Sequence, residues 1–239
     1  MKYKSTILTI AVTGFMITAS NAAIVWTGAA DTNFWNDANW DFGGSSVTAG
    51  EFNPNTAFND DVVISNATGV TTVDGEGILI NDGFSLTLDN SDIFVNGAAG
   101  TSGIKGVAAG AASTFNLANG SVLNTQFATT GADVNVDGTS EIIFRGGGDP
   151  INSQTDQTNI FLAIGGKLTL PTLAEFTEQA DTQGGAIYVN GVQVTGSNVN
   201  DLFTFTDNGG SFTGTAVPEP SSTALIGLAG LGLVLRRRR

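Results

Sequence analysis

The side chains that most often do chemistry are missing from this sequence, because none of its 239 residues is histidine or cysteine. That removes Ser-His-Asp triads, cysteine nucleophiles, imidazole or thiolate zinc sites and disulfide frameworks. Carboxylates, hydroxyls, amides and a handful of cations remain. Asp60-Asp61, Asp74 with Glu76, Asp89 with Asp92, and Asp133 with Asp137 offer hard oxygen ligands of the kind Ca²⁺ takes. However, no EF-hand loop and no Gly-Gly-x-Gly-x-Asp repeat accompanies them. They read as solvated turn acids, with weak, diffuse Ca²⁺ association as the most that charge alone supports. A glycosidase needs two carboxylates about 5 to 9.5 Å apart, and Arg145 with Asp149 is the best single enzymatic candidate. Its plain alternative is a surface ion pair beside a turn. Gly146-Gly147-Gly148 lacks the following Lys-Ser/Thr of a phosphate loop, and Asp149-Pro150 brings the wrong charge. No catalytic residue, metal site or cofactor is expected, and the chain reads as a non-enzyme.

Aromatic residues supply the other candidate. Trp26, Trp35 and Trp40 are all the tryptophans and fall within fifteen positions. They could form a carbohydrate-stacking platform, or they could cover the open end of a sheet-built body.

The two ends carry addresses. Lys2 and Lys4, an apolar run from Ile7 to Ala19, and Ser20-Asn21-Ala22 compose a secretory signal peptide, so residues 1–22 are expected to be removed. At the other end, Val217-Pro218-Glu219-Pro220 precedes an apolar stretch from Ala224 to Leu235 and the cluster Arg236, Arg237, Arg238 and Arg239. Proline fixes φ and breaks any helix at that point. The apolar stretch predicts a short transmembrane helix spanning about 20 Å. The arginines predict a membrane stop held on the cytoplasmic side.

The order Pro-Glu-Pro, apolar helix, arginine cluster resembles the PEP-CTERM sorting signal of exported bacterial proteins. That resemblance implies a Gram-negative source, handling by the export machinery and an exosortase, and removal of the tail near Pro218-Glu219-Pro220. It also implies a transient stay in the inner membrane and a cell-surface or extracellular-matrix destination, often beside exopolysaccharide. The expected organisation is a signal peptide (1–22), a β-rich exported body (23–215) and the sorting signal (216–239).

Processing would change the charge. Nine basic and 22 acidic side chains give a formal −13. Six of those cations lie in the two removed ends, which leaves Lys105, Arg145 and Lys167 and a mature charge of about −18. Such a surface repels nucleic acid, whose binding rests on phosphate neutralisation by Lys and Arg.

These residues must be positioned by strands. Short runs such as Val62-Val63-Ile64, Phe84 to Leu88 and Thr114 to Leu117 are strand-like, the last two alternating apolar and polar residues, and Asn, Asp and Gly punctuate them. The pattern of a turn dipeptide followed by a strand recurs at Asp82-Gly83, Asn119-Gly120, Asp137-Gly138 and Gly165-Gly166. It predicts an all-β fold: a parallel β-solenoid over residues 60–170, with coils of about 18 to 20 residues. An antiparallel β-sandwich is the alternative. Asn190-Gly191 between apolar runs predicts a hairpin, and hence an antiparallel piece closing the C-terminal end. The one helix expected in the body covers Thr172 to Gln179. The segment from Trp26-Thr27-Gly28 to Asp60-Asp61-Val62 resembles the opening of secreted autotransporter-type β-solenoids. The expected role is a non-enzymatic surface or matrix scaffold, with an exopolysaccharide-binding module or a polysaccharide-active enzyme as alternatives.

Overall fold

A computed structural model describes residues 23–45, 54, 57–72, 77–96, 103–106, 113–129, 131–146, 150–152, 158–177 and 186–218. The signal peptide, Asp74, Glu76, Asp149 and everything from Glu219 onward, including the apolar stretch and Arg236–Arg239, lie outside these residues. Among the described residues no helix is long and apolar enough to cross a membrane.

The body is a three-faced parallel β-solenoid. Four coils each lay one strand on each face, and the strands of a face hydrogen-bond from coil to coil. The long face carries Val62–Ser65, Ser85–Asp89, Ser113–Ala118 and Ala132–Val136, and continues through Asn159–Leu162 to Ala186–Val189. The second face carries Val70–Thr71, Asp92–Phe94, Val122–Thr125, Glu141–Phe144 and Lys167–Leu170. The short face carries Ile78–Ile80, Ile104–Gly106, Ala128–Thr129 and Ile151–Asn152. The solenoid expectation holds, and the sandwich alternative does not.

The alternating pattern does what period-2 chemistry requires. Along Ser113–Ala118, Ser113, Phe115 and Leu117 point inward and their neighbours outward. Equivalent inward residues stack from coil to coil. One column runs Val62, Leu86, Phe115, Val134, Ile160, Ile187, and another runs Ile64, Leu88, Leu117, Val136, Leu162, Val189. Every member is 2% exposed or less. No single coil could bury these faces alone, so the core exists only through stacking.

Coil length departs from the expected 18 to 20 residues. Asp61 and Ser85, in neighbouring coils, are 24 positions apart. Thr87 and Asn116 are 29 apart, Asn116 and Asn135 are 19, and Asp133 and Asn159 are 26. Register is fixed by inward apolar positions and ladder pairing, whereas corner connections lengthen at little entropic cost. Three of the turn dipeptides, Asn119-Gly120, Asp137-Gly138 and Gly165-Gly166, sit where the chain leaves the long face for the second. Asp82-Gly83 sits a corner earlier, before the long face. Asn66 and Asn90 hold the equivalent turn in the first two coils, at φ of 54° and 49°. Asparagine tolerates that left-handed backbone better than most side chains.

Both ends are closed. At the N-terminal end Ile24–Trp26 pairs parallel with Val62–Ser65 and antiparallel with Trp40–Asp41. At the C-terminal end, Ala186–Val189 turns back into Val192–Gln193 through Asn190 and Gly191, at φ of 48° and 83°. These are the primed-turn angles that the Asn-Gly signal predicts. Phe212–Ala216 then runs antiparallel between Lys167–Leu170 and Phe203–Asp207. Phe176 meets Phe203 and Phe205 beneath this lid, with ring centroids 5.4 and 4.9 Å apart. Within the expected helix, a helical turn occupies residues 175–177, and Glu175 Oε2 accepts from the Thr172 backbone N–H.

Candidate functional site

The three tryptophans assemble at the N-terminal cap. Trp40 meets Trp26 and Phe34 edge to face at 4.9 and 5.1 Å, and Trp35 stacks on Phe58 at 5.7 Å. Trp35 and Trp40 are buried, and Trp40 Nε1 donates to the Phe34 carbonyl at 2.7 Å. Trp26 alone keeps part of its surface open. Buried Asn39 stitches the loop around them. Its Oδ1 accepts from the Ala30 and Asp31 backbone N–H groups, and its Nδ2 donates to Asp31 Oδ1 and to the Asn33 carbonyl. Hydrogen bonds from the Asn36 and Asn39 side chains and from the Asn33 N–H hold the Asp31 carboxyl below its usual pKa, with burial opposing weakly.

The acids expected in pairs serve neighbouring coils instead. Asp61 accepts from both the N–H and the hydroxyl of Ser85. Asp89 accepts from Asn119 Nδ2 at 2.6 Å, and Asp133 from Asn159 Nδ2 at 2.9 Å. At Asp137, burial works to raise the pKa. Hydrogen bonds from Ser140, the Asn119 N–H and Thr139 outweigh it, so the net direction is down. Among the described residues no three acidic side chains gather to hold a metal ion.

Arg145 reaches back across two coils. Its guanidinium lies 4.1 Å from the Phe94 ring centroid, and Nη2 donates to the Val95 carbonyl at 2.6 Å. Burial pulls its pKa below the ordinary arginine value. Pro218, the first residue of the Pro-Glu-Pro motif, is exposed just past the last strand.

A groove of about 830 Å³ lies on the outer surface of the long face. Its floor is the middle outward column: Thr87, Asn116 and Asn135, in register across three coils. Asn135 Nδ2 donates to Asn116 Oδ1 at 3.0 Å, and Asn116 Nδ2 reaches toward Thr87 Oγ1 at 3.4 Å. The next two positions of the column are Phe161 and Tyr188. Their rings stack at 5.1 Å with planes 14° apart. Tyr188 therefore covers one face of Phe161, and the other face looks along the sheet toward Asn135. Asp61 and Ser85 border the start of the groove, and Asp137, Asn190 and Gly191 its corner side; among the described residues no lysine or arginine lines it. A sequence signal did exist. Ile160-Phe161-Leu162 and Ile187-Tyr188-Val189 break the alternation by placing aromatics where the three preceding strands carry Thr87, Asn116 and Asn135.

The tail has an independent counterpart among known families. Residues 216–239 match the PEP-CTERM protein-sorting motif. The match covers the tail alone and supports handling of the chain by an exosortase-type sorting enzyme. The match begins at Ala216, the last residue of the strand Phe212–Ala216. No curated protein and no solved structure matches the chain.

Proposed function

We propose that this chain is a non-enzymatic cell-surface or extracellular-matrix protein. In this reading its body is a rigid acidic scaffold, delivered by the signal peptide and released or attached after the tail is processed. The observation that carries the reading is the junction between body and sorting motif. Ala216 N–H donates to the Gly166 carbonyl and Val217 N–H to the Leu202 carbonyl, and Pro218 is exposed. Cleavage near Pro218 therefore removes none of the described strands. Loss of both ends leaves a body near −18, which favours solubility and keeps anionic polymers and lipid at a distance. Two capped ends suit a unit that persists outside the cell without joining its sheets to others. The partners in this scheme are the export machinery, the exosortase, the inner membrane in passing, and exopolysaccharide as the surrounding material.

Fractionation of cells with and without the sorting enzyme tests this. The expected result is the protein in the surface or medium fraction of the first and retained in the inner membrane of the second. Equal distribution in both cell lines would contradict it.

A further inference from the structure

We propose that the groove on the long face binds a neutral polysaccharide, with one sugar residue packed on the open face of Phe161 and with Asn135 and Asn116 as hydroxyl partners. This deepens the scaffold reading by naming what the scaffold holds, and it rests on that reading only for the supply of polymer.

Three features of the groove converge on this ligand. The first is the aromatic wall. Phe161 is half-buried, backed on one side by Tyr188 and open on the other toward the amide floor. A pyranose presents axial C–H groups that pack on such a flat face while its hydroxyls point sideways. The second is the floor. The Asn116–Asn135 bond uses one N–H of Asn135 and one lone pair of Asn116, and Asn116 turns one N–H toward Thr87. The remaining amide N–H and carbonyl positions, with Thr87 Oγ1, suit ligands that both donate and accept, as sugar hydroxyls do. The third is shape and charge. The groove spans several successive coils, which leaves room for more than one sugar residue. Among the described residues its charged border consists of Asp61 and Asp137, with no lysine or arginine. That selects a neutral polymer over a uronate or a nucleic acid.

Affinity electrophoresis of the mature exported protein provides the test, with hydroxyethyl cellulose, galactomannan and dextran as neutral probes and polygalacturonate as the anionic one. At least one neutral polymer is expected to retard the protein, and polygalacturonate is not. Phe161→Leu keeps an apolar side chain but removes the flat face, and should weaken binding about tenfold or more. Asn135→Ala should weaken it severalfold, and Trp26→Phe should leave it unchanged. Circular dichroism and Tm of each variant confirm that the solenoid is intact. Retardation by none of the neutral polymers would overturn the proposal. So would stronger retardation by polygalacturonate, undiminished binding by a folded Phe161→Leu protein, or loss of binding in Trp26→Phe alone. Any of these results with the protein still at the cell surface would leave the scaffold reading standing.

Discussion

At the N-terminal end, Trp26, Trp35, Trp40 and Phe34 meet mostly edge to face, and Trp35 and Trp40 lose nearly all contact with solvent. On the outer surface of the long sheet, Phe161 and Tyr188 stand side by side in adjacent strands, stack nearly flat and stay half-exposed. The first arrangement completes a core that the solenoid would otherwise leave open. The second adds nothing to the core, because its residues occupy outward positions of strands whose inward neighbours, Ile160, Leu162, Ile187 and Val189, already supply burial. Aromatic content alone does not separate cap from binding surface. Strand phase does.

That contrast yields graded expectations. Trp40→Ala removes a buried ring with its hydrogen bond to Phe34. It should destabilise the protein by about 3 to 5 kcal/mol, read as a lower midpoint in denaturant titration; a loss under about 1 kcal/mol would mean that the cap is not part of the core. Asn39→Ala strips partners from the Ala30 and Asp31 N–H groups and from Asp31 and Asn33. A loss of about 2 to 3 kcal/mol is expected, again by denaturant titration.

The C-terminal lid gives an intermediate case. A Cβ at Gly214 would lie 2.7 Å from the Phe176 ring and 2.9 Å from the Phe203 ring. Gly214→Ala should therefore cost about 1 to 3 kcal/mol by overpacking, seen as a lower Tm. Phe161→Leu, in the exposed stack, should change stability by less than about 1.5 kcal/mol. A larger change would place Phe161 with the cap aromatics rather than apart from them.

Acid gives the smallest effect. Asp31 and Asp137 have pKa values below the ordinary carboxylate value, so each binds a proton less readily folded than unfolded. Their contribution is complete above the unfolded value of about 3.9 and is lost as pH falls through the folded values. Tm should be flat on the acidic side down to about pH 5 and decline below pH 4, and Asp137→Asn should shrink that decline.

Much of this architecture was legible in the residues. Alternation in Ser113–Ala118 and Ala132–Val136 identified strands with one buried face, and Asn190-Gly191 identified the reversal at the C-terminal end. The tail was legible because three chemically distinct parts stand in one order. Coil length was not, since a connection can grow at a corner without disturbing the inward columns. The turns at Asn66 and Asn90 escaped notice because each is a lone asparagine where later coils use a Gly-containing dipeptide. The groove was hidden for a different reason. Asn116, Asn135 and Phe161 are far apart in sequence, and only coil-to-coil register brings them into one column. The acids, legible as pairs along the chain, bond mainly between coils, which sequence neighbours do not reveal.

Mass spectrometry of both termini of the protein recovered from the cell surface or medium tests the account most directly. The account predicts a chain that begins at Ala23 and ends near Pro218–Pro220, with Arg236–Arg239 gone. A full-length chain in the cytosol, with residues 1–22 and the arginine cluster still attached, would contradict it.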